Sequence, residues 1–410
     1  METFDFDRYI DRRGTNAVKW DELPDADYVA PDGRTVIPMW VADMDFRTAP
    51  CIVEALRRRV EHGVFGYTHV PAAYYDALTA WFARRHGVAF RREWVIYTSG
   101  VVPAVSAVLK ALCTQGDKVL VQTPVYNCFF SSIRNNGLQL AEAPLRYEAL
   151  PAATGGGGGG ATFTYSIDWT AFEAACADPQ VKVFLLCNPH NPAGRVWTRE
   201  ELRRMGEICL RHGVTVVADE IHCELVMPGH RYTPFAALGD EFARRSVTCC
   251  APTKAFNIAG LQIANIICAD ADMRARIDRA ININEVCDVN PFGVIALMAA
   301  YTPEGAEWLE QLNAYLAANY AALLGFFAER LPHLPVARLE GTYLVWVDIR
   351  PLGLTSAALT ERLLRDALVQ VNDGTMYGAA AGEGFIRLNI ALPRARMMEG
   401  LTRLESVLRG

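Results

Sequence analysis

A chain of 410 residues, 51% of them hydrophobic, can bury one large core and a second smaller one, which excludes a disordered or fibrous protein. The formal charge of -6 is mild, and neither a block of like charges nor a basic arm occurs, so no nucleic acid and no anionic membrane is expected as a partner. No apolar run reaches the length that spans a bilayer, and a small molecule is the expected ligand.

Residues 1–9 alternate acidic and aromatic side chains without a basic stretch followed by an apolar run, so no secretory signal is expected and the protein reads as soluble and cytoplasmic. The 11 cysteines are odd in number, and several sit inside apolar runs such as 183–187 and 247–250. They read as small buried hydrophobes in a reducing compartment.

From about residue 93 to 269, short β-rich runs at 94–97, 119–122, 181–187, 214–218, 247–250 and 262–268 alternate with helical patterns. That alternation predicts an α/β fold with a mostly parallel sheet between helices. Helices are expected at 102–112 and at 199–212, the latter begun by Thr198 with Glu201 as a capping box. Six glycines, 155–160, stand between 145–148 and 165–168; with no strand expected to enter them and no helix to leave, they read as a surface hairpin and not as a phosphate cradle. After Pro291 a long helix at 304–330 leads to a strand at 342–349, a helix at 357–369, a strand at 384–390 and a last helix at 394–408. The division expected is a large domain over 51–290 and a smaller α+β domain formed by 1–50 with 291–410.

Polar residues gather just past the strand ends, where the ligand crevice of an open α/β sheet lies. Thr98-Ser99-Gly100-Val101-Val102 is a small-residue turn opening a helix, whose amides and dipole suit a phosphate. Thr123-Pro124-Val125-Tyr126 brings an aromatic ring to the crevice. Asn188-Pro189-His190-Asn191-Pro192-Ala193-Gly194, Asp219-Glu220-Ile221-His222 and Ala251-Pro252-Thr253-Lys254 follow the next three runs. Taken singly, Asp219 would be a helix N-cap after a strand, Lys254 a surface charge and Tyr126 core packing.

The series Asn191-Pro-Ala-Gly, Asp219-Glu-Ile-His222, Thr253-Lys254-Ala-Phe-Asn-Ile-Ala-Gly and Phe385-Ile-Arg387-Leu-Asn389 resembles fold-type I pyridoxal-phosphate enzymes of aminotransferase class I/II. More narrowly, Val41-Ala-Asp-Met-Asp-Phe46, His62-Gly-Val-Phe-Gly-Tyr67 and Lys254-Ala-Phe-Asn-Ile resemble the MalY/PatB family of cystathionine β-lyases, or C-S lyases, over essentially the whole chain. The resemblance implies a PLP-dependent transferase-like fold with a seven-stranded sheet, and pyridoxal 5'-phosphate held by Lys254 as a Schiff base. By the same resemblance Asp219 faces the cofactor's ring nitrogen, Tyr126 its ring, Asn191 its phenolic oxygen, and Gly100, Val101, Val102 and Thr253 its phosphate.

His222 either shares the phenolic oxygen or is a satisfied polar residue under the sheet edge. Arg387, a charge in an apolar strand, must meet a partner, either the substrate carboxylate or an internal Asp or Glu. Tyr67 would reach the neighbouring subunit's phosphate in a homodimer with shared active sites, and Trp40, Val41, Ala42 and the region around Tyr377 would border the substrate. The sequence departs from the pattern at Ala251, where a serine is usual, and at Ala193, where a threonine is usual, which shifts phosphate anchoring toward Thr253 and the 100–102 amides.

The reaction this implies is α,β-elimination on cystathionine, cystine or another S-substituted cysteine, giving thiol, pyruvate and ammonia. Three alternatives stand beside it: an amino-acid aminotransferase, a regulatory binding protein on the same fold, and a metal hydrolase using Asp219, Glu220, His222 and Glu224. The last lacks a second ligand cluster, so no metal is expected.

Overall fold

The computed structural model describes residues 3–23, 30, 32–151, 160–283 and 288–409. Its central element is a seven-stranded sheet in the spatial order Val95–Thr98, Ala264–Ile267, Ser246–Cys250, Thr215–Asp219, Val181–Cys187, Lys118–Val121 and Gln139–Glu142. Ala264–Ile267 runs against both its neighbours, and the other six share one direction.

Burial on both faces explains why these strands are nearly continuous apolar runs. In Val181–Cys187 successive side chains alternate sides, so Val183 and Leu185 pack with Val101, Val105 and Val108 of the Val101–Leu112 helix. Phe184 and Leu186 point the other way, to Leu202, Met205 and Ile208 of the Arg199–His212 helix. That second helix starts with the expected capping box: Glu201 N donates to Thr198 Oγ1 (3.1 Å) and Thr198 N to Glu201 Oε2 (2.8 Å). The edge strand Gln139–Glu142 escaped the sequence reading because its residues are largely exposed and form no apolar run.

A six-stranded sheet carries the other half of the site. Its order is Asn372–Asp373, Phe385–Asn389, Leu344–Asp348, Val336–Ala337, Thr162–Ser166 and Arg146–Leu150. The last two strands pair antiparallel as the hairpin expected around the glycine run, but a strand does enter it, contrary to expectation. Glycines 155–159 lie outside the described residues, whereas a Cβ on Gly160 would come 3.0 Å from Ala328 Cα in the Pro303–Arg330 helix.

The helix expected at 357–369 also ends early. Ser356–Arg362 passes into a π-helical turn, Leu363–Ala367, and Leu368 turns left-handed with φ 55°. Val369, β-branched and fully buried, then pairs parallel with Ile37. This two-stranded tie, extended by Met39 N donating to Gln370 O and Asn389 N to Met39 O, leads the 40–46 segment across the end of the large sheet.

Glu224 joins two helices, Ala72–His86 and Pro303–Arg330. Its buried carboxylate accepts from Trp81 Nε1 (2.6 Å) and Arg85 Nε (2.7 Å) and lies 2.6 Å from His86 Nε2, while its carbonyl accepts from Asn313 Nδ2 of the Pro303–Arg330 helix. Burial alone would push its pKa up, but His86, Arg85 and Trp81 together hold it below the usual carboxylate range. Replacing Glu224 with Ala strands these partners, so we expect a loss of about 3 kcal/mol in urea unfolding. A loss under about 1 kcal/mol would show the network to be ornamental.

Candidate active site

At the common end of the parallel strands lies a cavity of about 200 Å³, and its walls come from the turns that the sequence reading singled out. Gly100, Val101 and Val102 form one wall at the start of the Val101–Leu112 helix, where no side chain caps the first-turn amides. Tyr126, Asn191, Asp219, His222, Thr253 and Lys254 complete the wall together with Ala42. Ser99, Pro103, Cys187, Ile221 and Ala259 also line it, as apolar or small neighbours of these residues in the same turns.

Lys254 sits four residues beyond the end of Ser246–Cys250 and points its Nζ at Ala42 O, 2.6 Å away. Burial and the nearby Arg387 bring its pKa down to about 8, against the pull of Asp43 and Asp219 in the other direction. Asp219 is the last residue of Thr215–Asp219 and accepts from Ile221 N at 3.1 Å. Burial raises its carboxyl to about 7, and no cation forms an ion pair with it among the described residues. The turn after it is not a helix, so Asp219 is not an N-cap.

His222 is buried, its pKa lowered to about 3 by burial and by Lys254 and Arg387, and its Nδ1 has no hydrogen-bond partner. Its imidazole lies on the cavity wall with that nitrogen unpartnered. Thr253 is buried beside it, and Ala251 packs into the apolar layer with Val247 and Cys249.

Arg387 lies on Phe385–Asn389, opposite Trp346 in the register, and reaches the site from the second sheet. Its Nη1 donates to Asn191 Oδ1 (3.2 Å), its Nη2 to Trp40 O (2.8 Å), and its guanidinium stands 4.9 Å over the ring of Tyr377. Among the described residues no carboxylate pairs with it, and its Nε is buried without a partner, so the internal salt bridge is absent. A guanidinium met only by neutral acceptors keeps its capacity for a carboxylate.

The structure does not bring every expected residue to the wall. Val41 lies beside it, with its carbonyl taken by Asn389 Nδ2 at 2.6 Å. Tyr67 is 97% exposed and stands away from this chain's cavity. Glu220 and Glu224 turn elsewhere: Glu220 is bound by Tyr232 OH (2.5 Å), Phe235 N and Asn188 Nδ2, and Glu224 by its helix partners. The four residues of the metal-hydrolase alternative thus do not converge.

Three residues were given no role from sequence. Tyr343 OH donates to Ala42 O at 2.9 Å, and Asn389 and Asn257 hold the 40–46 segment. For Asn389 a signal existed, since an asparagine in an apolar strand two residues from a buried arginine needs a reason.

The comparisons with known proteins agree with this geometry. The signature of the aminotransferase class I and II family spans residues 34–404. Cystathionine beta-lyase PatB of Bacillus subtilis is 42% identical over 98% of this chain and 99% of its own. Protein MalY of Escherichia coli is 33% identical, with 99% of each chain covered. Cystalysin from Treponema denticola, whose crystal structure contains a pyridoxal 5'-phosphate cofactor, superposes with a TM-score of 0.91 at 32% identity, covering 100% of this chain and 99% of that one. A half-buried lysine, a carboxylate and an arginine without a carboxylate partner at the mouth of this sheet, with relatives of that closeness over nearly their full length, carry one conclusion: the chain belongs to the aminotransferase class I and II family, and within it to the MalY/PatB group.

Proposed function

We propose that the protein is a pyridoxal-phosphate-dependent carbon-sulfur lyase that cleaves cystathionine, cystine or other S-substituted cysteines to thiol, pyruvate and ammonia. The observation that carries this reading is the meeting, around one cavity, of a half-buried lysine with a pKa lowered to about 8, a buried carboxyl without a cation, and a buried guanidinium without a carboxylate. The cystathionine beta-lyase PatB, similar over the full length, supports elimination over transamination.

The residues fit the cofactor. Asp219, raised by burial, is a carboxyl that a protonated ring nitrogen would ionise, and the partnerless Nδ1 of His222 is a polar atom on the same wall. Pyridoxal phosphate, when bound, supplies an electron sink for the charge that forms on the substrate α-carbon. Lys254 Nζ is its attachment point and afterwards the base that takes the α-proton, which demands a neutral amine and hence the lowered pKa.

Asp219 holds the proton on the ring nitrogen, and Asn191 and His222 attend the phenolic oxygen. The amides of Gly100, Val101 and Val102 and the hydroxyl of Thr253 take the phosphate, and Tyr126 offers an aromatic surface. Arg387 receives the substrate carboxylate in exchange for the neutral Trp40 and Asn191 oxygens. The segment from Trp40 to Ala42 borders the substrate. With its α-proton moved to Lys254, the substrate expels a thiolate from Cβ, which takes up that proton and leaves as thiol, and water hydrolyses the remaining aminoacrylate to pyruvate and ammonia.

We also propose a homodimer in which Tyr67 serves the neighbouring site. The support is its 97% exposure together with exposed Val64 and Phe65 on the same segment, an apolar strip that a partner would cover. A cytoplasmic location is supported by the cysteines, since all ten among the described residues are free thiols. No helix of the structure is long and apolar enough to cross a membrane, among the described residues.

Assayed with cystathionine and no 2-oxo acid, the protein should release thiol and pyruvate, and Lys254→Ala should lower that rate by about 10³-fold or more. Pyruvate appearing only when a 2-oxo acid acceptor is supplied would make it an aminotransferase. Arg387→Lys should raise KM about 10- to 100-fold with a smaller change in kcat, because a lysine cannot make the bidentate contact; an unchanged KM would remove Arg387 from the substrate. Co-expressed Lys254→Ala and Tyr67→Ala chains should recover activity that neither has alone, since one site of each mixed dimer is intact, and an additive mixture would refute the shared site.

A further inference from the structure

The 40–46 segment is held by side chains at almost every carbonyl. Asn389 Nδ2 donates to Val41 O and to Asp43 O, each at 2.6 Å, while its Oδ1 accepts from Ala391 N. From the far side Asn257, three residues past Lys254 and left-handed at φ 53°, accepts from Met44 N and donates to Met44 O (2.9 Å) and Phe46 O (2.8 Å). Lys19, fully buried, adds Asp43 O and the Asp45 carboxylate.

The carbonyls that meet the site's cations are those of Trp40 and Ala42, alternating with the two that Asn389 takes; Trp40 O also accepts from Asn372 Nδ2 (3.2 Å) and Ala42 O from Tyr343 OH (2.9 Å). Trp40 O meets Arg387, and Ala42 O meets Lys254 Nζ. Asn389 itself is fully buried and lies in the strand that carries Arg387. Its amide thus has its donors fixed on the one peptide stretch that both cations address.

We propose that Asn389 is a positioning residue for Lys254: by clamping the carbonyls on either side, it presents the Ala42 carbonyl as a fixed seat for the free amine while that amine moves the substrate's α-proton. This rests on the reading of Lys254 as the working base. A seat of this kind matters because an amine released from its attachment has four rotatable bonds, and a misplacement of about 1 Å costs on the order of 10²-fold in rate. The seat also favours the ammonium form, since a carbonyl accepts from it.

The test uses L-alanine, which has no leaving group, and follows exchange of its α-proton for deuterium by NMR. In Asn389→Ala the exchange rate should fall about 10-fold or more, while KM for alanine stays within about twofold and the bound cofactor's absorbance is retained. A second readout needs no turnover: competitive acetylation of Lys254 against pH in the full-length, cofactor-free chain, read by peptide mass mapping. Its midpoint should lie near 8 in the natural chain and about one unit lower in Asn389→Ala, because a hydrogen bond to the charged form is lost.

The charged and titratable groups facing Lys254, namely Arg387, Asp43, Asp219, Cys128 and His222, together with Tyr343, whose OH shares the Ala42 carbonyl, are unchanged in the variant. Asn257→Gly, which keeps the left-handed backbone but releases Met44 and Phe46, should shift both readouts the same way and decides the matter if Asn389→Ala does not fold. Exchange within twofold of the natural chain, or an unmoved midpoint, overturns the proposal. So does a KM that rises in step with the loss of rate, which would mark a general structural role. A natural chain that binds cofactor and exchanges nothing overturns the reading of Lys254 itself, and this proposal with it.

Discussion

Two cations, a half-buried lysine and a buried arginine, share one small space in this protein, and much of the surrounding architecture makes that arrangement tolerable. Burial, and after it the repulsion from Arg387, lowers the pKa of Lys254. Neither has a carboxylate in contact among the described residues; both are met by main-chain carbonyls of the 40–46 segment, with Asp43 and Asp219 acting from farther off. Carbonyl dipoles satisfy hydrogen-bond donors without neutralising charge, so each cation is held in place yet remains available to an anionic or electrophilic ligand.

The two sheets contribute to this in different ways. The parallel sheet ends several strands at the same edge, which brings Asn191, Asp219 and Lys254, spread over 63 positions of sequence, to one wall from three adjacent strands. The second sheet supplies Arg387 and Asn389 on one strand and so fixes the distance between the carboxylate site and the clamp on Ala42. The N-terminal segment, anchored by Ile37 on Val369, crosses between them. Its rigidity comes from the buried set of Lys19, Trp20 and Asp45, in which one carboxylate accepts from an ammonium and an indole. Breaking such a set leaves an uncompensated buried charge, so it fixes one conformation more firmly than apolar packing would.

The parts of the fold that were legible in the sequence are those where burial imposes a period. Val181–Cys187, Arg199–His212 and Arg394–Leu408 lie where they were expected, because each buries a run, a stripe or a capped face. Gln139–Glu142 and the early end of the helix at 357–369 were not legible, because an exposed edge strand has no apolar pattern and a left-handed Leu368 has no residue-type signal. At the site, residues that end strands were visible as a series, whereas the ties were not. That Asn389 bonds Val41 and that Ala42 O receives Lys254 depends on pairings across more than 200 residues, which no local spacing encodes.

The segment from Asp219 to Glu224 shows how far surroundings, and not residue type, set chemistry. Three carboxylic acids stand within six positions, all deeply buried. Asp219 is raised to about 7 by burial, with one amide donor to offset it. Glu220 is raised to about 7 by burial despite Tyr232, Phe235 and Asn188, whose hydrogen bonds make it a strut between the strand end and the 232–235 turn. Glu224 is held below its ordinary range once His86, Arg85 and Trp81 overcome its burial, and it works as a structural anion between helices. The strand's turn directs the first into the cavity and the others into the packing behind it. Only the first keeps unsatisfied affinity for a cation, and that difference in satisfaction separates a residue fit for chemistry from two that hold the wall in place.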